Sequence, residues 1–179
     1  MPRLLQLATA LLMGALGVLE ATTLEQLSMD EMIQKSTGIV RAKVVSSYAA
    51  VRAGDVYTYY RLEVTESWKG PRPAEVAVPG GVLKGVRQSI AGAPYLTPGE
   101  DYLLFLWTGK SGLTQVIGMS QGVFGVKVDA SGNPVVTRAA SMASMVDHDG
   151  RPVKDSGLSL RLTELRTQVK RALASQEVQ

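Results

Sequence analysis

Apolar residues follow different rhythms in different parts of this chain, and each rhythm predicts a different element. Leu4–Leu19 is an apolar stretch of helix formers, interrupted only by Gln6, Thr9 and small residues. Two Ser/Thr-x-x-Glu/Gln boxes follow, Thr23-Leu-Glu-Gln26 and Ser28-Met-Asp-Glu31. In such a box the hydroxyl takes a free amide of the first helical turn and the longer side chain bonds back. They predict a short helix over residues 24–36, with Leu24, Leu27, Met32 and Ile33 inward.

From Ile39 the period becomes two. Val40, Ala42 and Val44 alternate with Arg41 and Lys43. After a turn at Ala53-Gly-Asp55, Tyr60, Leu62, Val64 and Trp68 are assigned to one face of residues 56–68. Tyr57, Tyr59, Arg61, Glu63, Thr65 and Ser67 are assigned to the other. Alternation with β-branched and aromatic residues predicts half-buried antiparallel strands, here a hairpin. Glu75–Val78 is a further short strand, and residues 79–99 are Gly/Pro-rich and irregular. Tyr102–Trp107 is a continuous apolar run, the pattern of a fully buried strand. Residues 116–117, 123–128 and 135–137 predict more strands, the last two joined by the hairpin loop Asp129–Asn133. At the C-terminus Leu158, Leu162, Leu165, Val169 and Leu173 return at helical spacing, with Arg161, Arg166 and Lys170 off the stripe. That predicts an amphipathic helix over residues 158–175 whose apolar side packs on the β domain.

Short strands, two flanking helices and no βα alternation predict a mainly β fold: a small antiparallel OB-like β-barrel with an N-terminal short helix and a C-terminal amphipathic helix. Residues 22–179 form one domain.

The first apolar run decides compartment. Arg3 precedes it, Ala21 ends it, and Thr22-Thr23 follows. This is the plan of a secretory signal peptide over residues 1–21, cleaved after Ala21. The run is shorter than the roughly 20 residues a spanning helix needs, which favours a cleaved leader over a retained anchor. The expected location is secreted or periplasmic. Cysteine is absent, which excludes a Cys-linked lipid anchor, thiol chemistry and Cys-based zinc sites; the domain must be held by packing alone. The formal net charge is only +3 and its cations are scattered, so neither nucleic acid nor an anionic membrane is expected as a partner.

One stretch resembles a known family. Residues 40–45, Tyr57–Val64, Trp68-Lys-Gly70, Pro79-Gly-Gly81 and Leu96-Thr-Pro-Gly-Glu-Asp-Tyr-Leu-Leu-Phe105 are laid out like the netrin-like module, the OB-type barrel shared with tissue inhibitors of metalloproteinases. The resemblance covers less than half of residues 22–179. It implies the barrel. It does not carry the inhibitory mechanism, which uses an N-terminal Cys to chelate the protease zinc, and no family functional residue can be placed on this chain.

Three constellations could carry chemistry. Gly118-Met-Ser-Gln-Gly122 matches the Gly-x-Ser-x-Gly nucleophile turn, and Asp129 and His148 follow in hydrolase order. A strand pattern follows the motif where a hydrolase has a helix, so the glycines are read as aids to strand bending. His148, the one histidine, sits in Asp147-His-Asp-Gly150, partly a calcium-loop spacing, but Leu158 stands where the closing Glu belongs. An exposed turn is expected, with no metal and no cofactor. Lastly, Tyr57, Tyr59 and Arg61 on the outer strand face, with Arg87, Gln88 and Tyr95 in the long 79–98 segment, are candidate contacts for a ligand. The expected function is a non-enzymatic exported module that binds a protein or another envelope partner. The alternatives are a small serine hydrolase using Ser120 and a purely structural accessory domain.

Overall fold

The computed structural model describes residues 23–176; the expected leader, residues 1–21, lies outside them. The chain is mainly β, with a short helix near its N-terminus and a longer one at its C-terminus. β1 (Thr23–Glu25) leads to α1 (Met29–Lys35), and β2 (Gly38–Arg52) and β3 (Asp55–Lys69) form a long hairpin. β4 (Glu75–Pro79), β5 (Gly81–Leu83), β6 (Val86–Gln88), β7 (Asp101–Thr108) and β8 (Thr114–Val116) follow. A 3-10 turn at Met119–Gly122 opens onto β9 (Val123–Val128) and β10 (Pro134–Arg138). β11 (Ser144–Val146), β12 (Pro152–Val153) and β13 (Leu158–Arg161) precede α2 (Leu162–Gln176). The main sheet runs β13-β10-β9-β7-β2-β3-β4-β8, and β8 also pairs with β7.

The hairpin of β2 and β3 turns on Ala53 and Gly54, at φ +53° and +93°. Two residues with positive φ match the twist of the flanking strands, and Arg52 faces Asp55 directly across the turn. The register then shifts three times, leaving Val45, Thr65 and Trp68 without a partner across the ladder. An extra residue bends the strand and reverses which face its neighbours occupy.

This matters for the core, which has two parts. One holds Val40, Ala42, Val44, Tyr60, Val76, Val78, Leu96, Leu104 and Leu106, with Leu62 and Val64 packed on it. The other holds Ile39, Leu103, Phe105, Phe124, Val126 and Val136 against α1 (Met32, Ile33) and α2 (Leu162, Leu165, Val169). Trp68 belongs with the second, beside Phe105, and not with Leu62, Val64 and Leu104 as strict alternation predicts. The unpaired Thr65 lies between Val64 and Trp68 and flips the parity. It also puts Glu66 opposite Arg41.

Both helices differ from the sequence reading at their starts. The Ser28 box forms as predicted: Ser28 Oγ accepts from the Glu31 amide and the Glu31 carboxylate accepts from the Ser28 amide. That amide, with Lys35 and the Ser28 hydroxyl, holds the Glu31 carboxyl at about 2, well below its usual range. The Thr23 box does not form. Residues 23–25 pair in parallel with Ser144–Val146 instead. Likewise α2 begins at Leu162, not 158, because Leu158–Arg161 pair with Val135–Arg138 and their backbone groups are satisfied there. Leu158 is consequently exposed. The Glu164 carboxylate accepts from the Arg161 amide and caps the helix in place of a Ser or Thr.

Polar networks tie the strands to one another, to α2 and to the segment between β10 and β13. Arg41 donates to Asp101 and Glu66; Glu66 also takes the Trp68 indole N–H and Arg166 of α2. Burial opposes the charge on Glu66, but Trp68, Arg166 and Arg41 outweigh it and keep its carboxyl below the ordinary value. Asp155 is buried, grips the Arg138 guanidinium with both oxygens, and accepts from the amides of Ser141 and Gly157 at 2.8 and 3.1 Å. Arg138 lowers the Asp155 carboxyl from 3.8 to about 2; burial opposes this and the two amides assist.

A carboxyl depressed on folding stabilises the fold above its unfolded value and loses that contribution as pH falls through its folded value. Asp155 should therefore contribute about 2 kcal/mol above pH ~4, lost by pH ~2. Urea melts across that window should show the drop in the wild type and a smaller one in Asp155→Asn. At neutral pH that variant should be weaker by about 3–5 kcal/mol, since it leaves the Arg138 guanidinium buried without its counter-charge.

Candidate functional site

Because a two-residue turn fixes the register, Tyr48 lies opposite Tyr59, Ala50 opposite Tyr57 and Ser46 opposite Arg61. β4 continues the row, with Ala77 beside Tyr59, Pro79 beside Tyr57 and Glu75 beside Arg61. Residues directly opposite one another share a sheet face, so these side chains form one outer surface. Val76, Val78 and Tyr60 point the other way, into the core.

The outer surface is an aromatic cluster with charge at its rim. The Tyr48 and Tyr59 rings stack at 5.2 Å and 13°. Tyr57 leans on Tyr59 at 6.3 Å, and the Arg61 guanidinium lies 5.6 Å from the Tyr48 ring centre. The Tyr48 hydroxyl donates to Glu75 at 3.0 Å. At one end Arg52 donates to the carbonyl of Ser111 at 2.8 Å, tying the β2–β3 turn to the β7–β8 loop. Between them is a cavity of about 240 Å3 lined by Arg52, Tyr59, Glu75, Ala77 and Leu113 among others.

Two expectations about this surface need correction. Tyr59 is not presented to solvent. It is 8% exposed, covered by Tyr48 and Tyr57. The exposed ring is Tyr48, at 42%. Alternation over residues 40–45 stops short of Tyr48 and Arg52, and Glu75 joins them only through the pairing of β4 with β3. The signal was present: counting back from Ala53-Gly54 puts Tyr48 across from Tyr59.

The second correction concerns the 79–98 segment. It is not a free loop but folds back as the β5–β6 hairpin, anchored on β3: Gln88 Oε1 accepts from the Val56 amide at 2.9 Å, and Thr58 donates to Gly80 at 2.9 Å. Gly81 lies against Thr58, Val56 and Ala49, on the face opposite Tyr57, Tyr59 and Arg61. Tyr95 is 77% exposed and meets the inward Tyr60 edge-on at 6.4 Å. Five of the six candidates thus form two groups on opposite sides of β3, with Tyr57, Tyr59 and Arg61 on one and Gln88 and Tyr95 on the other; the sixth, Arg87, is exposed on β6. Gln88 is held by a backbone contact.

Among the described residues Ser120 Oγ makes no hydrogen bond to a base. Its amide donates to Gly92 at 3.1 Å. Both nitrogens of His148 are occupied by carboxylates, Nδ1 by Glu25 and Nε2 by Glu31 at 3.0 Å. Asp129 is spent on its own hairpin loop, accepting from Ser131 and Asn133. The working residue of the motif is Gln121, 2% exposed. Its Oε1 accepts from the Leu27 amide at 2.8 Å and its Nε2 donates to the Glu25 carbonyl at 2.9 Å. Gly122 lets this turn press on the sheet: a Cβ there would stand 2.7 Å from the Ile117 carbonyl. Asp147–Gly150 is a tight turn, with Asp147 Oδ1 accepting from Asp149 and Arg151. Among the described residues no three His, Asp or Glu side chains are grouped as ligands to one metal, and no helix is long and apolar enough to cross a membrane.

Compared with family models and with curated proteins, the chain matches none.

Ser120→Ala should leave stability unchanged, and a fluorophosphonate probe should label wild type and variant equally little. Gln121→Ala should lose about 1–3 kcal/mol, because it leaves the partly buried Leu27 amide and Glu25 carbonyl without their partner. Hydrogen exchange should speed up at Leu27 while remaining slow in β7. Serine-dependent labelling would restore the hydrolase reading.

Proposed function

We propose that this protein is an exported, non-enzymatic binding module built on an OB-type barrel, and that it takes an extended segment of a partner protein across the tyrosine face. The observation that carries the reading is the stacked Tyr48–Tyr59 pair with Arg61 over it, on the outer surface of β3 and β4.

The barrel part of the reading is supported by the pairings. β2 pairs with β3 and β7, β3 with β4, β4 with β8 in parallel, and β8 with β7, so five strands are joined in a ring. In an OB barrel the outer face of the second and third strands, between the first–second and fourth–fifth loops, is the usual place for a ligand. Here that place is the face of β3 and β4 between the turn at Ala53-Gly54 and the β7–β8 loop, where Arg52 reaches Ser111. The resemblance of residues 39–106 to the netrin-like module points to the same barrel.

The partner's class follows from shape and chemistry. The cavity at this face, about 240 Å3, is below the range of roughly 300–1,000 Å3 usual for small-molecule pockets. A broad surface of tyrosine with arginine suits a protein partner, since these residues dominate protein interfaces at little entropic cost. Export rests on the leader pattern of residues 1–21.

A photo-crosslinking residue at Tyr57, in the protein expressed in its native cells, should give an adduct of one discrete mass. The same residue at the exposed Val128, on the β9–β10 hairpin, should give none, and Arg61→Glu should weaken the Tyr57 adduct. Equal adducts at both positions, or none, would remove the tyrosine face from consideration. N-terminal sequencing of the accumulated protein should begin at Thr22; a retained Met1 would turn the leader into an anchor.

A further inference from the structure

At the far end of β3, away from the tyrosine face, a groove against α2 carries charge that the fold does not use. It has a volume of about 420 Å3 and is lined by Glu66, Trp68, Arg72, Arg166 and Lys170, among others. Glu66 is the one acid in this lining, and both of its oxygens are engaged: Oε1 by Arg41, Oε2 by Arg166 and the Trp68 indole. Arg72 and Lys170 have no ion-pair partner among the described residues and are exposed. The Arg166 guanidinium lies 5.1 Å from the Trp68 ring centre, and its Nε–H is buried with no acceptor among the described residues.

The Arg166 Nε–H is closed off from the groove, so an oxyanion there would meet the exposed cations Arg72 and Lys170. Glu66 offsets one of the three positive charges, leaving an excess of two. A singly charged carboxylate would neutralise half of that; a doubly charged phosphate group matches it. Arg, whose planar fork suits tetrahedral oxyanions, combined with Lys as a mobile point charge, is a phosphate-binding pairing. The volume falls within the usual size range of small-ligand sites. We propose that this groove binds a phosphate-type oxyanion, with Arg72 and Lys170 as its donors and the Arg166 guanidinium adding to the positive field. The site is separate from the tyrosine face, and neither depends on the other. Its ligand would be either a free phosphate compound or the phosphate of a lipid headgroup.

Trp68 supplies the readout. The chain has two tryptophans, so Trp107→Phe leaves Trp68 as the sole reporter. Its emission should change saturably on titration with inorganic pyrophosphate, or with phosphatidylcholine vesicles containing phosphatidic acid, whose monoester phosphate can carry two charges, but not with phosphatidylcholine alone. Ionic strength is held constant with chloride. Saturation by pyrophosphate identifies the free compound as the source, and saturation by the anionic vesicles alone identifies the headgroup. Arg72→Ala and Lys170→Ala lie outside the Glu66 network. Each should weaken the response about tenfold with no change in melting temperature. A response that does not saturate with either probe, that chloride reproduces, or that survives both substitutions would overturn the proposal.

Discussion

The register of β2 against β3 is the constraint on which the rest of this structure depends. A turn at Ala53-Gly54 sets it at one end. Three unpaired residues, Val45, Thr65 and Trp68, then change it along the ladder. Each change moves side chains from one face to the other. Ordinary alternation lets β2 serve two cores, with Ile39 packed beneath the helices and its neighbour Val40 packed on the other side. The register shifts bring Glu66 across from Arg41 and within reach of Arg166, where a strictly alternating strand would have buried an acid among apolar residues.

Most strands were legible because a half-buried strand writes its environment into its own sequence. Residues 123–128 are of this kind; the continuous apolar run Tyr102–Trp107 and the turn residues Asp129–Asn133 are equally local signals, and each forms where the pattern puts it. The hidden parts depend on distant partners. Thr23–Glu25 and Leu158–Arg161 carry helix signals, a capping box and an apolar stripe, yet extend because a free strand edge offers them hydrogen bonds. Bulges leave no mark in the hydrophobic pattern, so the face of Trp68 could not be read. For the tyrosine face, Tyr57 and Arg61 were legible from alternation, whereas Tyr48, Arg52 and Glu75 required the pairing of three strands. Gln121 gave no local signal, since its partners, Leu27 and Glu25, lie at the other end of the chain.

Having no cysteine, the chain fixes its connections with a few charged and amide side chains. Asp155 and Arg138 hold the path from β10 to β13. Gln121 holds the path from β1 to α1. The Arg41–Glu66–Arg166 network joins α2 to the sheet. Such contacts are directional, so they fix geometry more than they add stability. Leu165 and Val169 bury α2; Arg166 sets how it lies across β3.

The parallel pairing of Thr23–Glu25 with Ser144–Val146 imposes an order of events. A ribosome delivers β1 early and its partner late, so β1 has nothing to pair with until most of the domain has emerged. Closing so long a loop is slow compared with folding the β2–β3 hairpin. The central strands can therefore be in place while the N-terminal segment is still loose, and whatever precedes Thr23 stays tethered to an unpaired strand for nearly the whole of synthesis. The C-terminal helix, delivered later still, then closes the core over Met32 and Ile33.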